Sequence, residues 1–144
     1  MDIMIREAES GDISVIVRLI QELETATDRS PLTETFVTQY LDSSTSTVLL
    51  AETQGNVIGL LSYSLRPDLY HAANSCLIEE FVVHAPMRGK GVGSVLLREL
   101  LSRLSSRDCA EISLAVMPDN TGAIRFYKRH GLTEEALFLE RHFN

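Results

Sequence analysis

Three groups of residues in this chain have types and spacing that suit chemistry. They are the stretch R-G-K-G-V-G at 88–93, the adjacent carboxylates Glu79 and Glu80, and the phenol of Tyr127. The glycines at 89, 91 and 93 sit between an apolar run ending at Val83 and a helical pattern starting at Val92. Glycine there costs conformational entropy, so something must need bare backbone. The first N–H groups of a helix are unsatisfied and carry the positive end of its dipole. Without Cβ atoms an anion can reach them, and Arg88 adds a fixed positive charge at the rim. That combination suits a phosphate or pyrophosphate cradle.

Two familiar cradles fit poorly. A P-loop needs Ser or Thr after its lysine to hold magnesium, but Lys90 is followed by Gly91. A dinucleotide fingerprint needs a third small residue after Gly91-Val92-Gly93, where Leu96 stands. The strands before it also read as a meander rather than the start of a βαβ unit.

These groups must be held by regular elements, which the patterning supplies. "MIREAE" reads as a first strand. "SGDISVIVRLIQELETA" reads as a helix, with Ser10 or Asp12 as cap and Ile13, Ile16, Ile20 and Leu23 on one face. "SPLTETFVTQYLDSS" is a shorter helix with Pro31 near its start. Two apolar strands follow, joined by a turn around Gln54, Gly55 and Asn56. "DLYHAAN" is irregular, and "SCLIEEFVVHA" is a strand ending before Pro86. A helix spans about Val92 to Ser105, followed by the strand "CAEISLAVM". "DNTGAIRFYKRHG" is a short helix capped by Asp119 or Asn120 and stopped by Gly131. "LTEEALFLERHF" supplies the last strand or strands. The fold class is α/β: one domain over 1–144, with a mixed sheet of about six to seven strands and about four helices.

Composition limits the function classes. The chain has 144 residues, 44% of them hydrophobic, which is enough for one domain with a core. A net charge of -7 disfavours a general nucleic-acid binder and is compatible with a cationic small molecule. No apolar run approaches the roughly 20 residues of a membrane helix. "MDIMIREAES" lacks a signal-peptide pattern, and Cys76 and Cys109 read as reduced thiols, so a cytoplasmic protein is expected. The histidines and cysteines lack ligand spacing, so no metal is expected.

The stretch R-G-K-G-V-G resembles the [RQ]-x-x-G-x-[GA] signature of the GNAT superfamily of acyl-CoA-dependent N-acetyltransferases. The resemblance covers nearly the whole chain: "IREAESGDISVIVRLIQEL", "IEEFVV", "GVGSVLLRELL", "EISLAV" and "NTGAIRFYKRHGL" follow in the family's order. Asn120, Ala123, Phe126, Tyr127 and Gly131 match its N-x-x-A-x-x-F-Y-x-x-x-G-F block, with Leu132 in place of the last Phe.

The resemblance implies acetyl-CoA as cosubstrate and direct transfer to a primary amine through a ternary complex. The backbone of Phe81, Val82 and Val83 would pair with the pantetheine arm. The amides of Gly89, Lys90, Gly91, Val92, Gly93 and Ser94, with Arg88, would take the pyrophosphate. Asn120, Ala123, Phe126 and Tyr127 belong to the same cofactor-binding set, and Asn120 also suits a helix cap. The strand carrying Ala115 and Val116 would splay from its neighbour. Tyr127 is protonated at neutral pH and suits the general acid, or else is a core aromatic. Glu79 matches an acidic position of polyamine acetyltransferases and suits the base, or else is one of a solvated pair. Strand alternation puts Glu79 and Glu80 on opposite faces, so that only one meets the slot. The acceptor reads as a small cationic amine. Protein N-terminal or lysine acetylation, or a non-catalytic acyl-CoA-binding module, are the alternatives. Many family members pair through late strands, and "ALFLERHF" is apolar enough to allow a homodimer.

Overall fold

The computed structural model describes residues 1–104 and 108–143. Its centre is one five-stranded sheet in the order β1 (Met4–Glu7), β2 (Ser46–Thr53), β3 (Asn56–Asp68), β4 (Ala73–Val83), β5 (Cys109–Ser113). The first four strands run antiparallel to their neighbours, and β5 lies parallel to β4. The parallel step is made by the crossover helix α3 (Val92–Leu104), because parallel neighbours cannot be joined by a tight turn. The Ser105 end expected for this helix lies outside the described residues.

Both faces of the sheet are covered, as its apolar runs require. On one face Leu49, Leu61, Tyr63, Cys76 and Ile78 pack against Val92, Leu96, Leu97, Leu100 and Leu104 of α3. A Cβ on Gly59 would lie 3.1 Å from both Leu96 and Val92, so this glycine lets α3 approach β3 closely. On the other face Val48, Leu50, Leu60 and Val82 pack against Ile16 and Leu19 of α1 (Ile13–Gln21) and Val37 of α2 (Glu34–Leu41). The fourth helix, α4 (Thr121–Arg129), lays Phe126 and Tyr127 against the α3-side core.

Local signals explain most element ends. Thr33 caps α2 by accepting the Phe36 N–H (3.1 Å). Asn120 caps α4 by accepting the Ala123 N–H (3.3 Å), and Gly131 follows its end at φ +92°. The hairpin between β2 and β3 turns on Gln54 and Gly55, at φ +50° and +79°. Asp12 heads α1 but does not cap it forward. Its oxygens turn back to the Glu9 N–H (2.8 Å) and to two nitrogens of Arg6 (2.8 and 2.9 Å). Arg6 also donates to Glu52 (2.9 Å), which ties β1, β2 and the entry of α1 together.

Two expectations are corrected. The sheet has five strands among the described residues rather than six to seven. The expected last strand, residues 132–143, carries no strand because its backbone meets no sheet edge within the chain. Leu137 and Leu139 are consequently 91% and 89% exposed. The irregular stretch "DLYHAAN" is also shorter than expected, since β3 runs to Asp68 and β4 begins at Ala73.

Candidate active site

The site forms where β4 loses its neighbour. Pairing between β4 and β5 stops at Leu77 and Ser113, so the expected splay is present. From Ile78 onward the outer edge of β4 has no partner strand. His84 N–H donates to Ile58 O (2.8 Å). By the alternation of an antiparallel ladder, Val82 then faces β3, and Phe81 and Val83 turn their N–H and C=O groups to the open edge. Val82 is also buried, with its side chain among the α1 and α2 residues. Of the three residues expected to offer backbone, Phe81 and Val83 are the two that can.

Directly after this edge comes a short 3-10 turn (Ala85–Met87) and then the glycine stretch. Gly89 and Gly91 have φ +76° and +86°, a region that strains other residues. A Cβ at either would meet nothing within 4 Å, so the space in front of this backbone is open. The first turn of α3 closes with the Val95 N–H on Gly91 O (3.1 Å). The amides from Gly89 to Ser94 precede that bond and belong to the helix start that an anion can use. Lys90 is exposed, while Val92 is buried, so only its amide is available. A Cβ on Gly93 would lie 3.4 Å from Phe126, which brings α4 against the loop. Ser94 Oγ lies 3.2 Å from His130 Nε2 on α4. Coenzyme A fits this arrangement: an open row of amides for its diphosphate beside an unpaired strand edge for its amide-bearing arm.

Arg88 is held rather than free. Its Nε donates to Val83 O (2.9 Å), and Nη2 lies 3.7 Å from Glu22 Oε1. Glu22 also binds His84 Nδ1 (2.6 Å) and the Ala85 N–H (2.9 Å), linking the end of α1 to the start of the loop. Burial pushes the Glu22 carboxyl up, but these donors and the Arg88 charge outweigh it and hold it below its usual range.

A cavity of about 190 Å³ opens beside the β4 edge, lined by Leu23, Ile78, Glu79, Glu80, Phe81, Leu114, Ala115 and Tyr127. Tyr127 is partly buried against Phe81 and Phe126, with ring centroids 6.2 and 5.4 Å away. Burial pushes its phenol above its usual value, which keeps it protonated. Ala123 lies one turn before it on α4, and Asn120 caps the start of that helix.

The expectation that only one glutamate meets the slot is overturned. The β3–β4 register pairs Ser62 with Glu80 and Tyr63 with Ile78, so Glu79 is an extra residue in a bulge. Alternation is interrupted there, and both carboxylates line the cavity. Glu79 accepts hydrogen bonds from Tyr40 Oη (3.1 Å) and Ser64 Oγ (3.0 Å). The Glu80 N–H donates to Ser62 Oγ (3.0 Å). Burial and the neighbouring Glu79 charge push the Glu80 carboxyl up. Sequence reasoning missed Tyr40, which is 39 residues from its partner, and it missed Ser64 and Leu23.

The spacing of histidines suggested no metal ligands, yet Asp68, His71 and Glu111 bring ligand atoms within 4.8 Å of one another. Asp68 is already engaged by His71 Nδ1 (2.7 Å), Ser75 Oγ (2.6 Å) and the Tyr70 N–H (3.0 Å). Cys76 and Cys109 are both free, and burial pushes the Cys76 thiol up to about 12. No helix among the described residues is long and apolar enough to cross a membrane.

Comparison with known proteins agrees with this geometry. Residues 17–132 match the acetyltransferase (GNAT) family. The chain is 30% identical over 142 residues to the thialysine N-epsilon-acetyltransferase of Bos taurus, covering 90% of this chain and 83% of that one. It is 32% identical over 130 residues to the aminoalkylphosphonate N-acetyltransferase of Salmonella typhimurium, covering 88% and 82%. A solved structure described as a transcriptional regulator from Bacillus halodurans superposes with a TM-score of 0.85 at 25% identity, covering 99% of this chain and all of that one. The matched range takes in the glycine loop, the parted strands and the Phe-Tyr pair on α4, and the chain belongs to the GNAT family of acetyltransferases.

Proposed function

We propose that this enzyme moves the acetyl group of acetyl-CoA directly to the primary amine of a small cationic acceptor. The observation that carries the reading is the cavity in which Tyr127 stands with Glu79 and Glu80 beside the open edge of β4. The cofactor would supply an activated thioester. Backbone amides of Gly89, Lys90, Gly91, Val92, Gly93 and Ser94 hold its diphosphate, with the positive end of α3 behind them. The N–H and C=O groups of Phe81 and the N–H of Val83 hold its arm as an added strand would be held. An N–H at this edge would polarise the thioester carbonyl, where charge develops. Tyr127 donates its proton to the departing sulfur. Two carboxylates at the acceptor side attract an ammonium. The named activities of the bovine and Salmonella relatives, both on small amines, support this class of acceptor. Two copies pair through the exposed segment around Leu137, Phe138, Leu139 and Phe143.

The test is isothermal titration with acetyl-CoA, followed by a thiol-release screen against diamines, polyamines, amino acids, aminoalkylphosphonates and peptides. Binding with release for a small cationic amine is expected. Release with peptides alone would reassign the acceptor to protein amines. Binding with no release would make the chain a sensor, and absence of binding would remove the cradle.

A further inference from the structure

The end of α1 is tied to the turn that carries the chain from β4 into the glycine stretch. Leu19 is wholly buried in one cluster with Leu60 and Val82, and Glu22, the C-cap of α1, donates its N–H to Leu19 O (3.1 Å). The Glu22 carboxylate is therefore anchored to the core. Its Oε2 lies 2.6 Å from His84 Nδ1, and its Oε1 accepts the Ala85 N–H (2.9 Å). Arg88 Nη2 lies 3.7 Å from Oε1, while Arg88 Nε donates to Val83 O (2.9 Å). One carboxylate thus holds His84, Ala85 and Arg88, which lie between the last residue of β4 and Gly89. The local bonds of this segment are those of one short turn: Met87 N–H to His84 O (2.8 Å) and Arg88 N–H to Ala85 O (3.2 Å). A single 3-10 turn has poor hydrogen-bond geometry and is a weak spacer by itself.

We infer that Glu22 is the positioning residue that sets the spacing between the open edge of β4 and the glycine amides, so that both can grip one coenzyme A at once. This rests on the coenzyme A site proposed above. The arm and the diphosphate of that molecule are covalently joined. Two binding places on one ligand reinforce each other only when their spacing matches the link between its parts. When the spacing is wrong, that gain is lost although neither place has changed.

The needs of α1 alone do not explain this residue. A carboxylate at a helix C-terminus meets the negative end of the dipole, which disfavours it. The contacts with the turn offset that cost, because hydrogen bonds to an ionised acceptor are the strong ones. Burial pushes the Glu22 carboxyl up, yet the hydrogen bonds from His84 and Ala85 and the Arg88 charge hold it below its usual range, so the brace stays charged near neutral pH. The next residue, Leu23, lines the acceptor cavity, so the same helix end borders that cavity and steadies the approach to the cradle. Glu22 is absent from the cavity lining and acts through the turn, not on the reacting atoms.

The test compares the whole ligand with its two halves. Dissociation constants are measured for coenzyme A by titration calorimetry, and for ADP and pantetheine by ligand-observed NMR, with wild type, E22A and E22Q. Wild type is expected to bind coenzyme A at least about 100-fold more tightly than either half. E22A is expected to weaken coenzyme A by about tenfold or more, while ADP and pantetheine stay within about twofold of wild type. E22Q keeps an oxygen for the Ala85 N–H but not the charge, and should fall between the two. Should E22A fail to fold, E22Q carries the same comparison. Unchanged coenzyme A affinity in the folded variants overturns the role. So does a loss for ADP or for pantetheine as large as the loss for coenzyme A, which would make Glu22 a support of one half alone. A wild type that binds none of the three overturns the coenzyme A site itself, a failure seen before any variant is made.

Discussion

Tyr127 is the acid of the proposed transfer, and its environment makes a sharp expectation. Its ring meets Phe126 edge-on and Phe81 at a tilt, and burial holds its phenol above the usual value near 10. An acid must be protonated to work, so rate is lost only as pH rises through that elevated pKa. The kcat profile should therefore stay flat on its alkaline side up to about pH 9. Tyr127→Phe should cut kcat by about 100-fold with acetyl-CoA affinity unchanged by titration calorimetry. Unchanged turnover would return Tyr127 to the role of a packing aromatic. The residue's place on α4 was legible in the sequence because the spacing of Asn120, Ala123, Phe126 and Tyr127 is purely local. The contact of Tyr40 with Glu79 was not, because nothing in the residues around either one encodes a partner 39 positions away.

At the scale of elements, the junction between β4 and α3 is the most exacting part of the fold. Gly91 sits at φ +86° with open space before it. Gly91→Val should cost about 1–2 kcal/mol of stability from left-handed strain, leave the circular dichroism spectrum unchanged, and weaken acetyl-CoA binding by at least about tenfold. Retained affinity would count against the cradle. The entry to α1 gives a second test. The Arg6 hydrogen bonds, then the Glu9 N–H, overcome burial and hold the Asp12 carboxyl below its usual value. A depressed acid contributes stability that is present above the unfolded pKa near 3.9 and lost as pH falls through the folded one. Asp12→Asn should thus lose about 1–3 kcal/mol in denaturant unfolding at pH 7, and the gap to wild type should close below about pH 4. The glycine loop and both late helices were legible from turn residues, caps and 3.6-residue spacing. The bulge was not: "IEEFV" contains no Gly, Pro or Asn to announce it, and it exists only in the register against β3. Period-two reasoning therefore put Glu79 on the face of Phe81, whereas it turns to Tyr40 and Ser64 on the other.

For the whole molecule, the informative region is the stretch after α4. It reads as a strand, yet within one chain Leu137, Phe138, Leu139 and Phe143 lie 91%, 61%, 89% and 83% exposed. Patterning is local, whereas forming a strand needs a free edge at the right distance, and that is why the sixth strand failed to appear. Pairing of two copies would cover these side chains. Sedimentation equilibrium is expected to give twice the chain mass, and the double change Leu137→Asp with Leu139→Asp to give the single mass. A wild type that sediments as one chain would remove the pairing. The bulge in β4 has a further consequence when read in codons instead of kilocalories. Ile78 and Phe81 pack on the same face of the sheet although an even number of residues separates them, and the extra residue alone makes that parity work. Deleting either glutamate would restore regular alternation and leave Phe81, Val82 and Val83 on their present faces. The second acid is thus a unit that one inserted codon can add and one deleted codon can remove, without disturbing the groove beside it.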